Sequence, residues 1–205
     1  MEAIKSTRKI EMVQLAASLF RKKGYFATSM RDLANHLGIE AASLYSHIRS
    51  KEELLENICF RLGAELLESL DRIESGSLTY SQQLEFAIQS HLAVITRSPD
   101  EAQVFLLEYK HLTEPRLSAF IKMRKEYELR FRIILRQGMQ QGEFRRADEK
   151  MVTLTLLSAL NSTPTWFRSD KGMNAEQVSA VLTDLLIQGL ASPVTPVFST
   201  INPSL

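Results

Sequence analysis

Cysteine and long apolar runs are the clearest absences from this 205-residue sequence. It has a single cysteine, Cys59, so no intramolecular disulfide can form and nothing indicates an oxidising compartment. No apolar stretch approaches the roughly 20 residues that a membrane-spanning helix needs, and the N-terminus lacks the apolar core of a secretion signal. We therefore expect a cytoplasmic protein without a membrane partner.

The spacings that mark catalytic or metal sites are also missing. No His-Glu-x-x-His or Cys-x-x-Cys motif occurs, and no glycine-rich phosphate loop is present. We therefore expect no catalytic residues, no metal ligands and no cofactor. Cys59 is most simply a small apolar filler of its helix. The four histidines are scattered along the chain: His36, His47, His91 and His111.

Charge is distributed unevenly along the chain. The net charge is only +1, yet residues 1–51 hold nine Lys and Arg against four Asp and Glu, which gives +5 there and −4 for the rest. A basic end on an acidic body is expected of a head that binds a polyanion. A merely solvated surface would look the same, so charge alone does not decide between the two.

Helical periodicity runs through the chain, without a convincing strand pattern or an internal repeat. We predict an all-α fold of about nine helices. Residues 1–5 are expected to be mobile, and residues 191–205, with three prolines, are expected to form a disordered tail. The predicted helices are roughly 6–23, 30–37, 41–46, 51–75, 81–97, 100–111, 115–141, 148–167 and 175–190.

Residues 28–51, TSMRDLANHLGIEAASLYSHIRSK, predict two short helices at a sharp turn and the start of a third. Gly38 ends the first helix, because glycine accepts the left-handed conformation common after a helix. The second helix, about 41–46, presents small side chains that let it approach a surface closely. In a helix-turn-helix that surface is the floor of the DNA major groove.

Hydroxyl groups mark two of the helix starts in this segment. Thr28 or Ser29 is expected to cap the first helix, and either hydroxyl can also hold a DNA phosphate. Ser50 and Glu53 have the spacing of a capping box at the start of the third helix.

The run TSMRDLANHLGI-EAASLYSHIRSKEELL closely resembles the DNA-binding motif of the TetR family of bacterial transcription regulators. The shared features hold their spacing without gaps, from the threonine-serine start through the turn glycine to the serine-lysine-glutamate that opens the next helix. Many members have Ser-x-Gly-Thr where residues 40–43 are EAAS. Glu40 either complements the helix dipole or accepts a hydrogen bond from a cytosine amino group.

The resemblance implies a helix-turn-helix DNA-binding domain over residues 1–50 and a ligand-binding and dimerisation domain over 51–190. It also implies that Tyr45, His47 and Lys51 contact phosphates. Alanine and serine side chains on the second helix suit base edges and thymine methyl groups. The residues expected at the DNA are Thr28, Ser29, Arg31, Ala41, Ala42, Ser43, Tyr45, Ser46, His47 and Lys51.

Residues 138–145 and 156–190 resemble the C-terminal half of a TetR subgroup that includes regulators responding to acyl-coenzyme A thioesters. Members often carry Asn-Trp-Thr-x-Arg-Trp-Tyr before the last helix, where residues 161–167 read NSTPTWF. The first tryptophan and the arginine of that motif are absent here.

The resemblance places an effector pocket among helices 4, 5, 7 and 8. A mainly apolar lining favours a hydrophobic small molecule, with an acyl-coenzyme A as the preferred specific form and Arg124, Arg130 and Arg132 as phosphate ligands. The aromatic side chains could equally fill a core, and His91 fits either a core histidine or a ligand contact. The expected wall residues are Leu62, Leu66, Ile88, Leu92, Phe105, Tyr109, Tyr127, Phe131 and Asn161.

Helices 8 and 9 carry more apolar residues than one body needs, and the family pairs these helices with their symmetry mates. The expected protein is a homodimeric repressor of a palindromic operator, released by its effector. One alternative is a DNA-binding regulator, or an activator, controlled by a protein partner; another is a helical enzyme. The apolar residues are Met151, Leu154, Leu157, Val178, Val181, Leu182, Leu185, Leu186 and Leu190.

Overall fold

The computed structural model describes residues 2–73, 78–168 and 172–191. Within these ranges the chain forms nine α-helices and one short 3-10 helix, η1, with no β-structure beyond an isolated bridge between Phe144 and Ala191. The predicted all-α fold is confirmed. The elements are α1 (Glu2–Lys23), α2 (Met30–Leu37), α3 (Ala41–Tyr45), α4 (Lys51–Asp71), α5 (Tyr80–Arg97), α6 (Pro99–Leu107), η1 (Tyr109–His111), α7 (Arg116–Gln140), α8 (Glu149–Trp166) and α9 (Ala175–Gln188).

Helices α1 and α6 differ from their predicted bounds by more than two residues. Helix α1 begins at Glu2, four residues before the predicted start. The predicted sixth helix divides after Leu107, because the chain tightens there into η1. Pro164 lies inside the last turn of α8, which continues to Trp166. The predicted end of α4 just before residue 76 and the predicted tail after residue 191 lie outside the described ranges.

Side-chain caps define many of the helix starts. The predicted box at the start of α4 is only half formed. Ser50 Oγ accepts a hydrogen bond from the Glu53 backbone N–H at 3.1 Å, but the Glu53 carboxylate accepts from the Arg49 N–H at 2.8 Å rather than from Ser50. Complete capping boxes are present at Ser29, Thr79 and Asn174.

Helices α1, α2 and α3 form a small head whose buried apolar side chains are continuous with those of the body. Phe20 from α1, Leu33 from α2 and Leu44 from α3 are fully buried, as is Ile48 just after α3. Helix α4 packs against α1 and also against α5, α6 and α7, so it belongs to the head at its first turn and to the body beyond it.

Helix α5 is the centre of the body, where it contacts α4, α6, α7, α8 and α9. Cys59 of α4 is fully buried in the same core, and burial raises the pKa of its thiol to about 12. It therefore behaves as an apolar side chain. No helix in the described ranges is long and apolar enough to cross a membrane.

Candidate DNA-binding head and effector cavity

Helix α2 is fixed at both ends by local hydrogen bonds. Ser29 Oγ accepts from the Asp32 N–H at 3.1 Å, and the Asp32 carboxylate accepts from the Ser29 N–H at 2.8 Å. Gly38 adopts φ 65° and ends α2, which lets the N–H of Ile39 return to the Ala34 carbonyl at 3.1 Å. This is the compact geometry of a helix-turn-helix.

Helix α3 turns small and polar side chains outward. Ala42, Ser43 and Ser46 are exposed, and the Tyr45 ring is 52% exposed. Leu44 anchors the helix from the opposite side, where it is fully buried. The face is therefore available to a groove in DNA while its backbone position is set by the head core.

The remaining predicted DNA contacts around α3 lie at its edges. Ala41 and His47 are half-buried, and Ala41 packs on the head core. Glu40 is the exposed residue before α3 and its side chain makes no cap hydrogen bond. Both interpretations of Glu40, as a partner of the helix dipole or of a cytosine, remain open.

Thr28 and Lys51, both predicted to contact DNA, make hydrogen bonds to backbone carbonyls of the head. Thr28 is 1% exposed and its hydroxyl donates to the Gly24 carbonyl at 3.0 Å. The Lys51 ammonium donates to the carbonyls of Tyr25 and Thr28 at 2.8 Å each, and lies 4.4 Å from the centre of the Tyr25 ring. Burial lowers the pKa of Lys51. Both groups hold the loop before α2, where backbone carbonyls accept from the Thr28 hydroxyl and the Lys51 ammonium.

A polar joint connects the head to the body through Tyr25. Its backbone N–H donates to Glu108 at 3.4 Å, and its ring stacks on His111 with centroids 5.4 Å apart. Nearby, the Arg21 guanidinium pairs with Asp100 at the start of α6. The head is therefore held by α6 and η1 as well as by α4.

A cavity of about 320 Å³ lies in the body beside α6 and η1. Four predicted wall residues do not line it, because their side chains are completely buried between helices: Leu62, Ile88, Leu92 and Phe131. Five predicted wall residues do line it: Leu66, Phe105, Tyr109, Tyr127 and Asn161. The cavity therefore extends further toward α6 and α8 than the predicted wall residues indicated, since it is also lined by Leu106, Leu154, Leu157 and Ser158.

Several lining residues were not predicted. Gly63 of α4 is one; a methyl group there would come within 2.3 Å of the Met123 sulfur, so the missing side chain makes room for the thioether. A glycine inside a helical pattern is the sequence signal for such a close approach. The exposed members of the lining mark the mouth of the cavity: Ile121, Lys125, Leu154 and Ser158.

The inner wall of the cavity contains a buried polar pair. His91 is 2% exposed and its Nδ1 lies 3.0 Å from the Tyr127 hydroxyl oxygen. Burial lowers the pKa of His91 to about 4, and an interaction with the Asn161 side chain opposes this shift. The ring is therefore neutral at physiological pH. Its Nε2 makes no hydrogen bond of ordinary geometry to any described residue, an arrangement that costs about 1–3 kcal/mol unless another group satisfies the atom.

Only one of the three predicted phosphate-binding arginines reaches the cavity. Arg124 lines it, with its guanidinium carbon 4.6 Å from the centre of the Tyr109 ring. Arg130 instead pairs with Asp71, and Arg132 pairs with Glu149 at 3.4 Å. The other cation at the mouth is Lys125, next to Arg124 on α7.

Comparisons with known proteins agree with this geometry. Residues 13–58 match the family described as bacterial regulatory proteins, tetR family, and residues 77–190 match the tetracyclin repressor-like C-terminal domain. The chain belongs to the TetR family. It is thus a transcription regulator with a helix-turn-helix head, as its residues 28–55 predict.

Individual relatives span nearly the whole chain. The HTH-type transcriptional repressor KstR2 of Rhodococcus jostii (strain RHA1) is 27% identical over 191 residues, which is 92% of this chain and 94% of the relative. The TetR family regulator PfmR from Thermus thermophilus is 33% identical, with a TM-score of 0.77 over 86% of this chain and 97% of PfmR. AibR, solved in complex with isovaleryl coenzyme A and operator DNA, is 25% identical, with a TM-score of 0.75 over 88% of this chain and 98% of AibR.

Helices α8 and α9 of this TetR chain expose several large apolar side chains. Leu185 is 64% exposed and Met151 60%. Two residues of the predicted surplus, Val178 and Leu190, are buried instead, because α9 packs on α5. The large apolar side chains exposed on these two helices are Met151, Leu154, Trp166, Val181 and Leu185.

The contrast between Lys51 and Arg31 gives a first prediction. Arg31 is exposed on α2 and makes no ion pair with a described residue. Arg31→Ala should reduce the slope of log affinity for DNA against log salt by about 0.9 for each head bound, the loss of one phosphate contact per head. Lys51→Met should leave the slope unchanged and lower the free energy of unfolding by about 1–3 kcal/mol, since the carbonyls of Tyr25 and Thr28 lose their donor. Fluorescence anisotropy at several salt concentrations and thermal unfolding measure the two effects. An equal loss of slope in both variants would contradict the role given to Lys51.

Proposed function

We propose that the chain is a homodimeric repressor that binds a palindromic operator through residues 1–50 and is released by a hydrophobic small molecule held in residues 51–190. The observation that carries the proposal is the position of the cavity. Phe105 of α6 and Tyr109 of η1 line it, and Glu108 and His111 in the same segment contact Tyr25 of the head. A ligand that contacts Phe105 and Tyr109 can therefore displace the segment of α6 and η1 that holds the head.

The regulatory step is a shift between two orientations of the head. A ligand that fits the cavity better in one orientation favours that orientation by the ratio of its two affinities. In a symmetric dimer the distance between the two α3 helices must match half-sites about one helical turn of DNA apart. A tilt of α6 and η1 changes that distance and lowers operator affinity. An effectorless body controlled only by a partner protein would have no use for such a cavity.

The proposed DNA surface is the exposed part of the head. Ala42, Ser43 and Ser46 face the base edges, and Tyr45, with Ser29 and Arg31 at the start of α2, contacts the backbone. Ser46 keeps its hydroxyl oxygen free to accept, because its proton is donated to the Ser43 carbonyl at 2.7 Å. His47, half-buried at the edge of the same surface, completes the backbone contacts.

The proposed effector has an apolar body, with an acyl-coenzyme A as its preferred form. The cavity of about 320 Å³ holds on the order of ten water-sized groups at about 30 Å³ each, so it suits an acyl chain or small ring system and not a whole coenzyme A. The nucleotide end would leave through the mouth past Arg124 and Lys125, which outweigh the charge of Glu128 beside them. AibR, bound to isovaleryl coenzyme A, supports this choice.

Dimerisation through α8 and α9 is tested by charge insertion. Leu185→Arg places an unpaired charge in a face that isologous packing buries against itself, so sedimentation velocity should show monomers. Operator affinity should fall on the order of 100-fold or more, because the two heads no longer bind together. Glu176→Arg is the matched control, since it lies nine residues earlier and half a turn around the same helix. A dimeric Leu185→Arg protein with full operator affinity would refute this interface.

The cavity itself is tested at Gly63. Gly63→Leu should fill the space beside Met123 and abolish release from DNA by ligands, while operator affinity in the absence of ligand stays within a few-fold of the wild type. Gly63→Ala is the control, because a single methyl group displaces only the flexible end of Met123. Normal release of the Gly63→Leu protein, folded by circular dichroism, would place the effector elsewhere.

The class of effector is tested with a panel of acyl-coenzyme A esters and the matching free acids. The operator is first selected from random duplexes, and anisotropy then measures its release. We expect release by thioesters at concentrations where the free acids have no effect, since only the thioesters bring phosphates to Arg124 and Lys125. Release by the acids alone would remove the coenzyme A form, and release by no member would remove the acyl class.

A further inference from the structure

Three polar side chains from three helices meet at the inner wall of the cavity. Tyr127 of α7 and His91 of α5 are joined at 3.0 Å between the phenol oxygen and Nδ1. The other ring nitrogen, Nε2, has no hydrogen bond to a described residue. Asn161 of α8 is the third side chain. It interacts with the His91 ring, is half-buried and lines the cavity.

The direction of the first hydrogen bond follows from the chemistry of the two groups. A phenol is a better donor than a neutral imidazole N–H, and an imidazole nitrogen is a better acceptor than a phenol oxygen. Burial raises the pKa of Tyr127, so its proton is retained. The Tyr127 hydroxyl therefore donates to Nδ1, which leaves the proton of the neutral His91 ring on Nε2.

The second step follows from the first. An Nε2–H group needs an acceptor. Asn161 lines the same cavity and its side chain interacts with the His91 ring, so its carbonyl oxygen is the acceptor that a small rotation of the amide brings to Nε2. With its oxygen turned toward His91, Asn161 presents its NH₂ group to the cavity.

We infer that Tyr127, His91 and Asn161 form one directed chain of hydrogen bonds, and that its end, the Asn161 NH₂ group, binds a carbonyl oxygen of the effector. Asn161 is the binding residue, and His91 and Tyr127 are positioning residues that fix which end of the amide faces the ligand. This inference rests on the proposed effector function and names the chemistry that the cavity selects. A thioester and a ketone both supply such an oxygen.

The state of the histidine is tested first, without any ligand. Long-range ¹H–¹⁵N spectra separate the two neutral tautomers, and the signals that disappear in His91→Phe belong to His91. We expect the Nε2–H tautomer in the wild type and a mixture of tautomers in Tyr127→Phe, which keeps the ring and removes the donor. An Nδ1–H tautomer in the wild type would reverse the direction of these hydrogen bonds and overturn the inference.

The recognition step is tested with a matched pair of probes, octanoyl-coenzyme A and its thioether S-octyl-coenzyme A, which lacks the carbonyl. Calorimetry should show about tenfold tighter binding of the thioester to the wild type, the worth of one hydrogen bond. Asn161→Leu should remove this preference, and His91→Phe should reduce it. Thr155→Val, which deletes an exposed hydroxyl of α8 outside the cavity lining, should leave it unchanged. A preference that survives in Asn161→Leu would overturn the inference.

A third probe, 2-octanone, distinguishes the two carbonyl sources and separates this inference from the proposed function. If it shifts the Asn161 side-chain amide signals while neither coenzyme A probe binds, the inference stands and the coenzyme A form of the effector fails. If the thioester alone shifts them, the recognised oxygen is that of the thioester. If no carbonyl probe shifts them, the inference fails, whatever the protein does with its operator.

Discussion

The orientation of the head depends on the first turn of α4. Lys51 holds the carbonyls of Tyr25 and Thr28 in the loop before α2, and Glu52 accepts from the Thr113 N–H, in the loop before α7, at 2.9 Å. Glu53 accepts from Lys9 of α1 at 3.1 Å. Because one turn of one helix connects three segments, a tilt of α4 moves all of them together. The rest of α4 packs against α5, α6 and α7. A movement of α4 within the body therefore changes the orientation of the head.

The buried polar side chains of the cavity wall lower the stability of the fold and provide a hydrogen-bonding site for a ligand. A core packed with apolar side chains throughout would be more stable than one that contains the polar side chains of His91 and Tyr127. The apolar surroundings keep the imidazole neutral, and a neutral ring can donate at one nitrogen while accepting at the other. The same burial that costs folding free energy therefore gives the inner wall a fixed hydrogen-bond direction. A charged or solvent-exposed histidine would lose that property.

Sequence reasoning succeeded where the determining contacts are local and failed where they are distant. The cap at Ser29 and the turn at Gly38 depend on residues within five positions, and both were among the predictions. The Ser50–Glu53 box formed only in part, because the Glu53 carboxylate accepts from the Arg49 N–H and from the distant Lys9. Lys51 was expected at DNA from the family resemblance, and no sequence pattern indicated its contacts with the carbonyls of Tyr25 and Thr28, more than 20 residues away. Leu62 and Leu66 share one helical stripe, yet only Leu66 reaches the cavity, since the neighbouring helices decide which side chain meets open space. Phe26 is an aromatic residue between α1 and α2 that the sequence alone would place in the head core, yet it is 77% exposed beside His111 at the joint.

The contact between head and body has an apolar part and a polar part. The buried side chains of α1 and of the body form one continuous cluster, and α1 packs along α6. At the edge of this cluster Arg21 pairs with Asp100 and Tyr25 with Glu108 in partly exposed contacts, each worth about 0–1 kcal/mol. Because close-packed side chains resist deformation, a displacement of α6 moves α1 with it, and the polar contacts at the edge add little to the cost of a small reorientation. A ligand with a 100-fold preference for one orientation, about 2.7 kcal/mol, can shift an equilibrium of that size.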